Sequence, residues 1–236
     1  MSVGRLRGVI FDMDGVLVDS HAVHRKAWRK FFQTLGRNVP EAELDFILDG
    51  RKRCEILRHF LGDCPELELN ELGRRKDAIF QQMRLDITPI PGAVQLVSEL
   101  HRRGMILGLA TSASLSRARN TLFELGLLHC FAVMVTGEDV RLGKPDPSVY
   151  RLACDRIGIG RQHLLAVEDA ISGIRAATFA GLRCVGLALH ETRENLISAG
   201  AIHVINDLRS TSVDDLEGFL FHGGGERSLA ARAGGI

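Results

Sequence analysis

The chain has 236 residues, 45% hydrophobic and 25% charged, with a formal net charge of +1. That balance fits a soluble globular domain, alone or with an insert, and argues against a nucleic-acid or acidic-membrane binder. No apolar run approaches a membrane span, no signal-peptide segment precedes the first strand, and five scattered cysteines lack Cys-x-x-Cys spacing, so a cytoplasmic monomer with reduced thiols and no membrane partner is expected.

In chain order, Val9-Ile10-Phe11 reads as a buried parallel strand running into Asp12-Met13-Asp14-Gly15. Residues i and i+2 of an extended chain project to one side, so Asp12 and Asp14 can face one point at the strand's carboxyl end. Open α/β sheets place their ligands at that end. Alone, the string reads equally as an acidic turn.

Residues 20–88 are helical in character and lack a strong strand run. Ser20 to Gly36 predicts a helix with Ser20 as N-cap and Val23, Ala27, Phe31 and Leu35 as a packing stripe. His24 and Trp28 share an adjoining face. They line a site, or His24 is a surface residue and Trp28 plain core. Asp49-Gly50-Arg51-Lys52-Arg53 is a basic segment and reads equally as a solvated face. Pro89-Ile90-Pro91-Gly92 marks a break.

Beyond it, apolar runs over 105–110, 132–136, 164–167, 183–189 and 201–205 alternate with helical patterns, which predicts a doubly wound parallel α/β sheet. The expected organisation is a core from 1–19 and 89–221, a helical cap over 20–88 on two connections, and a glycine-rich tail over 222–236.

Three further sites follow strands. Thr111-Ser112 precede a helix carrying Leu115, Ala118, Leu122 and Leu125 on one face. Hydroxyls and free N–H groups there suit phosphate, although on their own they read more readily as helix caps. Lys144, before Pro145, is a point charge for phosphate, or a solvated lysine in a turn. Glu168-Asp169 follow a strand and open a helix, where acids are also favourable for the helix itself.

Strand-Asp-x-Asp-Gly, strand-Thr-Ser, Lys-Pro and strand-Glu-Asp, in this order, resemble the haloacid dehalogenase superfamily over about residues 7–208. The insert after the first strand resembles members with a cap there: phosphoglycolate-type and sugar-phosphate phosphatases and β-phosphoglucomutases. Dehalogenases lack the second aspartate, so Asp14 argues against that activity.

The resemblance implies a Rossmann-like core and phosphoryl transfer to a small phosphate ester. Asp12 is the implied nucleophile and Asp14 the general acid and base, which requires Asp12 ionised and Asp14 protonated at the start. It implies Mg²⁺ on the Asp12 carboxylate, the Asp14 carbonyl and Asp169, with Glu168 near or in the shell. Thr111, the Ser112 amide and Lys144 would hold the phosphoryl group. His24, Trp28, Arg53 and Lys76 resemble cap residues that meet substrate. Mutases carry a serine-rich stretch ending in Lys/Arg-Asn after the Thr or Ser. Here Ser112-Ala113-Ser114-Leu115 stands instead, and Leu115 supplies no donor. A single-phosphate substrate and a phosphatase therefore suit this sequence better than a mutase.

Overall fold

The computed structural model describes residues 5–222. The tail expected over 222–236 lies outside them, apart from residue 222, which closes the last helix. Strand β1 (Gly8–Phe11) is buried along its whole length. A short β2 (Val18–Asp19) leads into the helical insert, α1 (His21–Thr34), α2 (Asp45–Leu48), α3 (Arg53–Leu61) and α4 (Glu66–Gln82). A short β3 (Thr88–Pro89) leads out. Then follow α5 (Ala93–Arg102), β4 (Ile106–Ala110), α6 (Leu115–Glu124), β5 (Phe131–Val135), α7 (Ser148–Ile157) and β6 (Leu164–Glu168). The described residues end with α8 (Ile171–Phe179), β7 (Arg183–Leu187), α9 (Arg193–Ala199), β8 (His203–Ile205) and α10 (Val213–His222).

The main sheet has six strands in the order β5-β4-β1-β6-β7-β8, and every pair is parallel. From β1 the chain moves outward through β4 and β5. It then returns to the other side of β1 and continues outward from β6. That reversal opens a crevice at the carboxyl ends of β1 and β6, the place where such sheets bind ligands. The register sets Phe11 beside Val167 and Leu109. Asp12 and Glu168, next along their strands, and Thr111, two residues past Leu109 and just beyond β4, therefore meet at one end.

The strand side chains alternate between two cores. Val9, Phe11, Leu107, Leu109 and Val167 pack with residues of α5, α6 and α10. Ile10, Ala110, Leu164 and Ala166 pack with residues of α7, α8 and α9. The insert has its own core, built on Trp28, Phe31, Phe32, Leu44, Leu57 and Leu69. Val23 and Ala27 of the expected stripe pack against Phe80 of α4.

Three local expectations change. Ser20 precedes α1 but makes no capping bond; its hydroxyl donates instead to Asp14 Oδ1, 2.5 Å away. The cap of α6 is Ser114, which accepts the Arg117 N–H. Leu115, the first residue of α6, is 43% exposed, so the buried face begins at Ala118. The connections to the insert pair as an antiparallel ribbon, Val18 with Pro89 and Asp19 with Thr88. Two-residue strands are too short to leave a periodic pattern in sequence.

Packing at Leu107 and exposure at Phe123 make opposite demands. Leu107 is fully buried, whereas Phe123 is 74% exposed. Leu107→Ala should cost about 2–5 kcal/mol in urea unfolding, and Phe123→Ala less than about 0.5 kcal/mol. Equal losses would contradict this placement of the core.

Candidate active site

Asp12 leaves β1 with its N–H bonded to the Val167 carbonyl at 3.0 Å. Glu168 ends β6, and Asp169 follows it. Asp12, Glu168 and Asp169 are all buried, and a carboxylate oxygen of each lies within 4.8 Å of the others. Lys144 Nζ reaches into this group, 2.7 Å from Asp12 Oδ1 and 2.5 Å from Glu168 Oε1. Tyr150 donates to the same Glu168 oxygen at 2.8 Å. The other Glu168 oxygen accepts the Asp169 and Ala170 N–H groups.

Close approach by backbone makes this packing possible. Gly15 has φ +78°, and a Cβ on it would sit 1.8 Å from Asp169 Oδ2. A Cβ on Gly173 would fall 2.0 Å from Glu168 Oε1. Only glycine leaves room for the carboxylates at these two positions.

Three acids face one ammonium. Burial raises Asp12 to about 7, opposed by Lys144 and reinforced by Glu168 and Asp14. Burial also raises Glu168 and Asp169. For Lys144, burial works against the charge, but Asp12 and Glu168 outweigh it and hold the amine protonated. Asp169 Oδ2 is buried and has no hydrogen-bond partner among the described residues. His21 Nε2 lies 3.2 Å away, without hydrogen-bond alignment. An all-oxygen donor set, short of positive charge and with an orphaned carboxylate oxygen, fits a hard divalent cation such as Mg²⁺.

Asp14 sits in a different environment, on the side facing the insert. Arg117 of α6 grips it with two parallel bonds, Nη1 to Oδ1 at 2.8 Å and Nη2 to Oδ2 at 2.7 Å. His24 Nε2 lies 3.6 Å from Oδ1. Burial alone would raise Asp14, but Arg117 and His24 outweigh it and hold the carboxyl well below its usual range. The environments of Asp12 and Asp14 thus separate the two acids in the sense opposite to that expected: Asp12 is pushed up and Asp14 down.

The expected cap residues gather at this side. Burial and the neighbouring Lys76 charge lower His24 to about 3, so it is neutral at neutral pH. Its Nδ1 lies 3.4 Å from Lys76 Nζ. Lys76 is 4% exposed, and burial lowers it to about 7. Its ammonium lies over the Trp28 and Phe80 rings. Trp28 is both core and lining: it stacks on Phe32 and borders the cavity. Arg53 borders the cavity too, but its guanidinium pairs with Asp77.

The insert is docked over the strand ends. Ser112 Oγ donates to the Gly50 carbonyl at 2.5 Å, which leaves the Ser112 amide as its group for a ligand. Ser172 N–H bonds to Asp49 Oδ1 at 3.1 Å, and Gly143 N–H to Glu55 Oε1 at 2.8 Å. Thr111 is buried, and its hydroxyl accepts the Ala113 N–H. Between insert and core lies a cavity of about 370 Å³ bordered by Asp12, Asp14, His24, Lys76, Thr111, Ser112, Arg117, Lys144 and Asp169.

Arg117 escaped the sequence reading, and it revises the inference from Leu115. The donor missing at Leu115 is supplied from two residues further on. No sequence signal separated Arg117 from a solvated helix arginine. Asp14, its partner, is 103 positions away.

Lys144 is the only cation hydrogen-bonded to Asp12 and Glu168 among the described residues. Lys144→Met should lower stability by about 3–5 kcal/mol at neutral pH, because it leaves buried carboxylates uncompensated. Burial holds these acids above their unfolded values, so protonation favours the folded state. The loss should therefore shrink as pH falls, and also when Mg²⁺ is added. Urea unfolding across pH measures this; unchanged stability at neutral pH would contradict it.

A family model described as haloacid dehalogenase-like hydrolase matches residues 6–181. Hexitol phosphatase A of Escherichia coli (strain K12) is 33% identical over 183 residues, covering 78% of this chain and 83% of the relative. Beta-phosphoglucomutase of Bacillus subtilis (strain 168) is 29% identical over 192 residues, covering 77% of this chain and 83% of the relative. The crystal structure of CbbY from Rhodobacter sphaeroides in complex with phosphate superposes with a TM-score of 0.78 at 28% identity, covering 89% of this chain and 99% of that one. No helix of the described residues is long and apolar enough to cross a membrane.

Proposed function

This chain belongs to the haloacid dehalogenase-like hydrolases, and from that premise we propose that it is a Mg²⁺-dependent phosphatase of a small sugar phosphate. The observation that carries the reading is the meeting of Asp12, Lys144, Glu168 and Asp169 at a cavity between insert and core. The likeness to Hexitol phosphatase A supports a sugar phosphate as substrate.

Asp12 is the nucleophile in this reading. Its carboxylate oxygen forms a bond to phosphorus as the sugar oxygen leaves, giving an aspartyl-phosphate. Lys144, Thr111 and the Ser112 amide hold the phosphoryl oxygens. Asp14 gives a proton to the leaving oxygen and later takes one from the attacking water. Asp12, Glu168, Asp169 and the Asp14 carbonyl would hold Mg²⁺, which when bound offsets the charge shared by carboxylates and phosphate.

Both oxygens of Asp14 are occupied by Arg117. Proton transfer to a leaving group therefore requires this fork to open. A polar or anionic group of the substrate is the natural competitor for the guanidinium. His24, Lys76 and Arg53 complete the polar wall on the insert's side of the cavity, and Trp28 supplies an apolar surface against a sugar ring.

The alternative is β-phosphoglucomutase-type transfer. The Arg117 guanidinium favours it, since it restores a donor near the stretch where mutases bind a second phosphate. The fate of the phosphoryl group separates the two. A screen of sugar phosphates with Mg²⁺ should release inorganic phosphate at about 1–10³ per second on the true substrate. Conversion of β-glucose 1-phosphate to glucose 6-phosphate with little phosphate released would establish the mutase instead.

Asp14→Asn should lose far more rate on a sugar phosphate than on an activated aryl phosphate, whose leaving group needs no proton. Equal losses would remove Asp14 as general acid.

Arg117→Ala and Arg53→Ala test substrate recognition. A lost charge-assisted hydrogen bond costs about 1.5–3 kcal/mol, roughly ten- to a hundredfold. That loss should appear in kcat/KM for the sugar phosphate and spare a small aryl ester. Equal effects on both esters would mean that neither arginine reads the sugar.

A further inference from the structure

A second group of metal-binding side chains lies at the other end of the α5–β4 hairpin, where β5 begins. His101 lies in the last turn of α5. His129 and Cys130 lie in the 3-10 turn that enters β5. An imidazole nitrogen from each histidine and Cys130 Sγ all lie within 4.8 Å of one another. The two rings stand edge to face, 5.6 Å apart at 88°. Cys130 Sγ is 3.5 Å from His129 Nε2.

The donor chemistry differs from that of the acid cluster. It offers two imidazoles and a thiol, and no carboxylate belongs to the group. Nitrogen and sulfur donors select Zn²⁺ over Mg²⁺. Zinc takes imidazole nitrogen at about 2.0–2.1 Å and thiolate sulfur at about 2.3 Å. Tetrahedral donors at those lengths stand roughly 3.3–3.8 Å apart; Cys130 Sγ and His129 Nε2, 3.5 Å apart, already meet that spacing, and the His101 nitrogen, within 4.8 Å of both residues' donor atoms, makes the remaining approach.

The surroundings permit that closure. The backbone is fixed on both sides: Cys130 N–H bonds to the Leu127 carbonyl at 2.9 Å, and the His101 carbonyl accepts from Gly104 N–H at 2.9 Å. Cys130 is buried and forms a floor, while both histidines are exposed. His129 already stands beside the sulfur, so rotation of the exposed His101 ring is the movement the site requires. Three protein donors leave a fourth position open to water. Among the described residues, His101 has no hydrogen-bond or ion-pair partner that would have to be given up.

We propose that His101, His129 and Cys130 form a Zn²⁺ site that ties the end of α5 to the start of β5, separate from the oxygen-donor cluster. On binding, the sulfur–hydrogen bond gives way to a sulfur–zinc bond, and the proton leaves to solvent. No change of oxidation state is involved.

The full chain, reduced and freed of metal, is titrated with Co²⁺ in excess Mg²⁺, which occupies the oxygen-donor cluster. One equivalent should bring up a thiolate-to-cobalt charge-transfer band together with the visible bands of a tetrahedral ion. One equivalent of Zn²⁺ should abolish both. Cys130→Ser should lack the charge-transfer band. His101→Ala changes an exposed side chain and should keep the fold and basal phosphate release, but weaken Zn²⁺ binding at least tenfold. It should also lose the rise in melting temperature that Zn²⁺ gives the parent. If Cys130→Ser does not fold, His101→Ala decides alone. A full-strength charge-transfer band in Cys130→Ser, no such band in the parent, or unchanged Zn²⁺ affinity in His101→Ala would overturn the site.

Discussion

Three buried carboxylates converge on one lysine at the mouth of a parallel sheet. Two like charges about 4 Å apart repel by about 4 kcal/mol at an effective dielectric of 20. Lys144 reaches two of the three acids, and Tyr150 and backbone N–H groups support Glu168. One carboxylate oxygen, Asp169 Oδ2, has no hydrogen-bond partner among the described residues, with only the His21 imidazole at ion-pair distance. Hydrophobic burial of β1 and β6 holds the cluster together, because both strands are fixed on both faces by core packing. Gly15 and Gly173 admit the carboxylates at distances no side chain would allow. The site is thus destabilising taken alone and is held by the sheet that carries it, which leaves it ready to take up positive charge or a proton.

The insert, together with Arg117 of α6, confronts this anionic floor with a cationic wall. Lys76, Arg53 and Arg117 surround Asp14 and Asp77, and a neutral His24 stands between Lys76 and Asp14. The same carboxylic acid chemistry therefore meets two environments a few residues apart. Asp12 belongs to the floor, where burial dominates, and Asp14 to the wall, where a guanidinium dominates. Docking of Gly50, Asp49 and Glu55 onto Ser112, Ser172 and Gly143 brings wall and floor together. In this geometry the docked insert completes the cavity over the strand ends.

Much of the floor was legible in the sequence. The β1 run, the i, i+2 aspartates and the acids after β6 are local patterns, and the alternation of strands and helices predicts that they meet. The helical insert follows from the absence of strand runs between Ser20 and residue 88. The wall was less legible, because it depends on pairs distant in sequence. Arg117 and Asp14 are joined by tertiary packing, and an arginine in an amphipathic helix carries no mark of its partner. Ser20 illustrates the converse. Its position before a helix reads as a cap, yet the nearby, half-buried Asp14 carboxylate is the stronger acceptor and takes its hydroxyl. Leu115 fits the helical stripe by spacing but opens its helix at the surface.

The most direct test of phosphoryl transfer through the anionic floor is chemical trapping during turnover. The protein is mixed with Mg²⁺ and its best sugar phosphate, quenched in acid and reduced with borohydride, which converts an acyl-phosphorylated aspartate to homoserine. Peptide mapping should place homoserine at position 12, in an amount that follows the phosphoryl intermediate through the first turnover. Homoserine at position 14 or 169, or unmodified Asp12 while phosphate is being released, would contradict Asp12 as the nucleophile.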